Sequence, residues 1–349
     1  MDKIKVNETP VRTARNFGIN NIKIDQMEIP QNVHEFENYS IYAENTQIDS
    51  NVSNFKLTYG NGELLENNVF NNSNNKLKLI TPESKETVKI TYNFDEDNTQ
   101  LQNLIEIVAN GDTDVYIEYN SKTEQKCYHN GIIRVIANKN AKINVTIINL
   151  LNDNSDNFEA IENEINENSI VNFTIIDIGA NKSISNYYSN IIGENAQNDL
   201  KTIYLGKENQ IKDINYIGEL RGKKSFIDID VQGALKDSAK KNFKGTIDFK
   251  KGSKKSKGNE NEYCMLLSDK AKSIALPMLL CTEEDVEGNH STASGKVDEK
   301  ELFYIMSRGI DYKDAVKLIV KSRFNKILER IKDEQLKEIV ITEIDNRLD

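Results

Sequence analysis

Between residues 101 and 282 one pattern recurs: a short run of alternating apolar residues, then a turn signal. Val115-Tyr116-Ile117-Glu118-Tyr119, Ile132-Ile133-Arg134-Val135-Ile136, Ile143-Asn144-Val145-Thr146-Ile147 and Ile170-Val171-Asn172-Phe173-Thr174-Ile175 are such runs, and residues 225–231 and 246–249 continue them. A period of two places alternate side chains on opposite faces of a strand. Asn110-Gly111-Asp112, Asn130-Gly131, Asn138-Lys139-Asn140 and Gly179-Ala180-Asn181 read as the intervening turns. The runs return at roughly dozen-residue spacing, too close for helical crossovers between parallel strands. A sandwich, a barrel or a β-solenoid remains, and periodicity alone does not separate them. With only 4 prolines in 349 residues and a long series of similar units, the solenoid is favoured. No strict sequence repeat accompanies the structural one.

The flanks differ. Residues 1–100 are mixed and Asn-rich, with strand-like runs at 56–59, 76–80 and 87–92 and a loop-like stretch at 66–75. From residue 298 the apolar period becomes helical. Asp298, with Glu301 three residues on, predicts a helix to Arg308 that Gly309 ends. Asp311 and Asp333 start two more helices, with stripes Ala315, Leu318, Ile319, Ile327, Leu328, Ile331 and Leu336, Ile339, Val340, Ile344, Leu348. Three regions follow: 1–100, a β core over 101–297, and a helical unit over 298–349. Such a unit is expected to cover the solenoid's open edge.

Composition excludes several functions. With 45 basic and 55 acidic residues the net charge is −10, against broad nucleic-acid binding. The basic run over Lys250, Lys251, Lys254, Lys255 and Lys257 is short, lacks aromatic partners and reads as a solvated hairpin or a coil-to-coil loop. Three cysteines are too few for a disulfide framework. No apolar run is long enough for a membrane span and no signal-peptide h-region is visible, so a cytoplasmic protein is expected. There is no phosphate-binding loop, so no nucleotide is expected on this chain. The abundance of Asn and Ile fits AT-rich codon bias, but Asn also tolerates left-handed turns and Ile suits pleated surfaces.

The stretch Pro277-Met278-Leu279-Leu280-Cys281 through Asp285-Val286 to His290, then Gly295 and Asp298-Glu299 to Leu302-Phe303-Tyr304 and Ser307-Arg308-Gly309-Ile310, is specific. It resembles the C-terminal signature of the SufB/SufD family of iron–sulfur cluster assembly proteins, closest to the SufD branch. Pro10-Val11-Arg12-Thr13 and Asn16-Phe17-Gly18 are similar to that family's leading segment. Where SufD has Cys two residues before the histidine this chain has Gly288, and SufB's flanking glutamates are Asn289 and Ser291.

The resemblance implies a right-handed parallel β-helix with an irregular N-terminal segment and a C-terminal helical domain. It also implies pairing with a SufB-like paralogue or a second copy through the β-helix, and docking of a SufC-like ATPase by the C-terminal helices. A cysteine desulfurase would act indirectly. The chain would then be a non-catalytic assembly subunit, with a transient cluster or iron at a subunit interface. His290 is the first candidate ligand, since neutral imidazole binds iron well. Cys281 and Cys264 are thiolate candidates, although burial in a core is the commoner fate of such residues. Cys127 and His129 form a C-x-H pair read as an exposed loop pair rather than half a metal site. Tyr304, Arg308, Gly309, Ile310, Tyr312 and Lys317 are the expected docking residues. The alternatives are a homodimeric SufB-like scaffold and, more remotely, a carbohydrate-binding β-helix, which the absence of Trp disfavours.

Overall fold

The computed structural model describes residues 4–13, 18–24, 29–31 and 33–349. Asn16 and Phe17 of the leading segment lie outside these residues. Two short strands, β1 (Ile4–Val6) and β2 (Ile22–Ile24), pair antiparallel. β3 (Tyr39–Tyr42), β4 (Gln47–Asp49) and helix α1 (Glu63–Asn72) follow. From there the chain alternates between two sheets. The odd sheet holds β5 (Asn75–Ile80), β7 (Gln100–Ala109), β9 (Tyr128–Ala137), β11 (Asp156–Ile165), β13 (Lys182–Ile191), β15 (Ile211–Leu220), β17 (Lys240–Phe249) and β19 (Lys272–Cys281). The even sheet holds β6 (Glu86–Phe94), β8 (Asp112–Ser121), β10 (Lys142–Leu150), β12 (Ile170–Asp177), β14 (Gln197–Gly206), β16 (Phe226–Leu235), β18 (Ser256–Leu266) and β20 (Val286–Lys296). Neighbouring strands from β5 onward are parallel, which makes a β-solenoid of about eight turns.

Because coils stack in register, each alternate residue heads a column running along the lumen. One column in the even sheet reads Val88, Val115, Val145, Phe173, Leu200, Ile229. The next reads Ile90, Ile117, Ile147, Ile175, Thr202, Val231. These side chains are buried and supply the apolar area that drives folding. The parallel ladder reaches back to Asn75, into the segment set apart above as 1–100. The stretch read as a loop at 66–75 is largely α1, whose Leu65 and Val69 are buried. The Asn-rich composition hid that face. Asn130-Gly131, read as a turn, lies inside β9.

The two ends of the solenoid differ. At the N-terminal end the short strands β3 and β4 add antiparallel to β6 and β5 and close both sheet edges. At the other end β20 and β19 are the last strands of their sheets, and β20 is mostly exposed. The C-terminal helices do not cover that end. α2 (Glu299–Met306), α3 (Tyr312–Leu328) and α4 (Glu334–Leu348) start at the expected caps Asp298, Asp311 and Asp333. Ile319, Val320, Phe324, Ile327, Val340 and Ile344 pack against the outer face of the even sheet, on Tyr116, Ile148, Ile176, Ile203, Leu205 and Met265. Arg330–Asp199 (2.9 Å), Lys332–Asp114 (2.7 Å) and Arg347–Asp153 (2.7 Å) hold the rim. The apolar strip on that outer face is what the helices cover, and sequence periodicity does not say which face of a strand meets which partner.

Candidate functional site at the open mouth

On the even sheet the last two coils break the apolar columns described above. Below Ile229 and Val231 the columns continue as Glu260 and Glu262 on β18, then as His290 and Thr292 on β20. A third column runs Tyr204, Gly233, Cys264, Ser294. His290 therefore sits in a strand, not in the loop that its Asn-Ser-Thr neighbours suggest. It is exposed because no further coil lies on it.

Glu262 is fully compensated on one oxygen. Its Oε1 accepts from Lys241 Nζ at 2.7 Å and from the Tyr204 hydroxyl at 2.9 Å. Glu260 is not compensated: it is 1% exposed and neither carboxylate oxygen has a hydrogen-bond partner. Burial, with Glu262 beside it, pushes its carboxyl up to about 8. Cys264 is buried in the same wall, and burial pushes its thiol up against the pull of Lys241. Such a thiol is a poor nucleophile and a poor ligand until it is deprotonated.

Cys281 is placed differently. It is exposed, at the end of β19, and its Sγ donates to the Glu283 carbonyl at 2.8 Å. Cys264 lies near the end of β18, which leads into the start of β19, so the two thiols sit about 20 Å apart at opposite ends of the strands. The structure brings His290 and Glu260 side by side and keeps Cys281 and Cys264 apart. Among the described residues no three His, Cys, Asp or Glu side chains converge on one point.

Cys127 and His129 are not an exposed loop pair: both are completely buried. His129 Nδ1 meets Asn157 Oδ1 at 2.6 Å and its Nε2 meets Asn103 Oδ1 at 2.9 Å. Both nitrogens are turned into the packed lumen toward asparagine side chains, out of reach of an incoming ion, and burial lowers it to about 4. Glu260 was missed in the sequence because its run, Asn259-Glu260-Asn261-Glu262, looks like a polar turn. Its place below His290 follows only from the register.

The expected docking residues cluster on the helical layer. α2 has no buried residue, and Phe303 (75% exposed), Tyr304 and Met306 are open to solvent. Arg308 stacks on Tyr304 and donates to its hydroxyl at 2.9 Å. Gly309 adopts φ +88°, as a left-handed cap requires. Tyr312 is exposed and borders a groove of about 580 Å³ lined by Leu266, Leu267, Leu302 and Val316. Ile310 is partly covered, and Lys317 is tied to Asp349.

Residues 90–323 match the family described as SUF system FeS cluster assembly, SufBD core domain. The chain belongs to this SufBD core family. It is 26% identical over 301 residues to the iron–sulfur cluster assembly protein SufD of Bacillus subtilis, covering 85% of this chain and 68% of that protein. It is 28% identical over 211 residues to a SufBD family protein of Pyrococcus horikoshii, covering 60% of this chain and 47% of the relative. Over 114 residues it is 29% identical to SufD of Escherichia coli, covering 33% and 27%. The chain thus spans about two thirds of the Bacillus relative and less than half of the other two. Among the described residues, no helix is long and apolar enough to cross a membrane.

Proposed function

We propose that this SufBD-family chain is a SufD-like scaffold subunit of an iron–sulfur assembly complex. Its open mouth meets the mouth of a SufB-like paralogue, or of a second copy. Its α2 surface docks a SufC-type ATPase, which supplies the nucleotide chemistry. A cysteine desulfurase supplies sulfur indirectly. Iron or a nascent cluster is cargo at the mouth, where His290 offers one imidazole and the facing subunit contributes further ligands. No residue of this chain is assigned a catalytic step. The reading places the chain in the cytoplasm, where its three free cysteines stay reduced.

One observation carries the reading: the solenoid is closed at one end, and at the other leaves two unpaired strands with His290 on the lumen-facing column. Unpaired strand edges of that length invite pairing with another chain. The homodimeric variant rests on the same edges and differs only in which solenoid they meet.

The docking claim has a direct test. Deleting residues 311–349 would strip the cover from Ile148, Ile176 and Ile203 and unfold more than a docking site. Phe303→Asp is cleaner, because Phe303 buries little in the isolated chain. The variant should fold like the parent by circular dichroism and lose the ATPase on co-purification. Retention of the ATPase at parental stoichiometry sinks the assignment of the α2 surface.

A further inference from the structure

The lumen column that ends at His290 is apolar for six strands, from Val88 to Ile229, before Glu260 replaces the aliphatic residue. Nothing in apolar packing calls for a carboxylate there. Its two oxygens are buried and without partners, and Lys241, the cation that serves the adjacent Glu262, is spent on that carboxylate and on the Ile274 carbonyl. The seat is made for it: a Cβ on Gly245 would lie 2.3 Å from the Glu260 carboxylate. A buried, unpaired carboxylate in a folded protein points to a missing cation or to a proton.

His290 stands next to Glu260 on the mouthward strand, on the same face, one strand spacing away. Its own neighbours Asn289 and Ser291 point to the other face, so no carboxylate reaches the imidazole from its own strand. The strand beneath provides one. A carboxylate oxygen and an imidazole nitrogen are a donor pair suited to a borderline divalent ion such as ferrous iron.

We propose that Glu260 and His290 together hold a divalent metal ion at the mouth of the solenoid, the remaining positions being open to water or to the facing subunit. The proposal rests on the reading of His290 as a metal-proximal residue and adds the carboxylate that pairs with it.

The test uses the full chain, without partners, titrated anaerobically with Co²⁺ and followed by its visible absorption and by calorimetry. One ion should bind per chain. Glu260→Gln and His290→Ala should each weaken binding at least tenfold, and Glu284→Gln, in the exposed acidic loop, should not. In the unaltered protein, Mn²⁺ should broaden amide resonances most strongly around residues 260 and 290, which reads the site without any substitution. Loss of binding in His290→Ala with parental binding in Glu260→Gln removes Glu260 while leaving the His290 reading standing. Loss in Glu260→Gln with parental binding in His290→Ala removes the shared site and the His290 reading with it. No binding at millimolar Co²⁺, or broadening centred elsewhere, overturns the proposal.

Discussion

His129 shows what lumen burial does to a titratable side chain. Buried between Asn157 and Asn103, and lowered to about 4 by that burial against the opposing pull of Asn157, it binds its proton far less readily folded than unfolded. Between about pH 6.5 and pH 4 the unfolded chain therefore carries the extra proton. The stability due to neutral His129 is complete above that window and lost as pH falls through it, by about 3 kcal/mol. Glu159, pushed up to about 8 by burial, works in the opposite sense, losing its contribution as pH rises from about 4.5 to 8. Comparing the parent with His129→Gln cancels Glu159. Urea unfolding at stepped pH should show a steeper acid-side loss in the parent, and parallel curves would exclude His129. The C-x-H pair was legible as a motif, but its burial was not. Burial here comes from Asn103 and Asn157, 26 and 28 residues away. His290 was legible for the converse reason: the signature around it is local, while its carboxylate neighbour is 30 residues upstream in sequence.

At the scale of the element, the turns explain part of the asparagine content. Asn140, Asn168 and Asn195 occupy the same turn in successive coils with φ of 64°, 56° and 58°. Their side chains link in series, Asn168 Nδ2 to Asn140 Oδ1 at 3.3 Å and Asn195 Nδ2 to Asn168 Oδ1 at 3.1 Å. Asn168→Ala should cost about 1–2 kcal/mol, since a plain Cβ resists the left-handed region. Asn168→Gly should cost less, because it relieves the backbone and loses only the side-chain link. Equal losses in thermal melts would show that the ladder, not the backbone, matters. Gly131 is the complementary case. It sits mid-strand because a Cβ would lie 2.4 Å from Asn103 Oδ1, so the Asn-Gly pair signals close approach within the lumen and not a turn. Alternation told strand from helix throughout the core, and three Asp caps placed the helices correctly. Neither signal carries the packing partner of an outer face, which is why the helices were expected over the wrong part of the solenoid.

For the whole molecule, the contrast between its ends is what the proposed mouth-to-mouth pairing rests on. Ser294 lies on the lumen-facing column of β20 and is exposed. Ser294→Lys should leave the isolated chain's stability within about 0.5 kcal/mol of the parent. It should nevertheless weaken association with a second solenoid at least tenfold, because a charge would be trapped between two mouths. Sedimentation of the parent and variant with and without the paralogue measures this, and equal association would place the contact elsewhere. The closed N-terminal end sets how far such pairing could run. β3 and β4 are four and three residues long and run against the grain of the ladder, so that end offers no template. When two such molecules meet mouth to mouth, both templates are used and none is left over. Assembly stops at a pair by geometry alone, without a separate terminator, and a chain lacking β3 and β4 would be free to grow into a fibre.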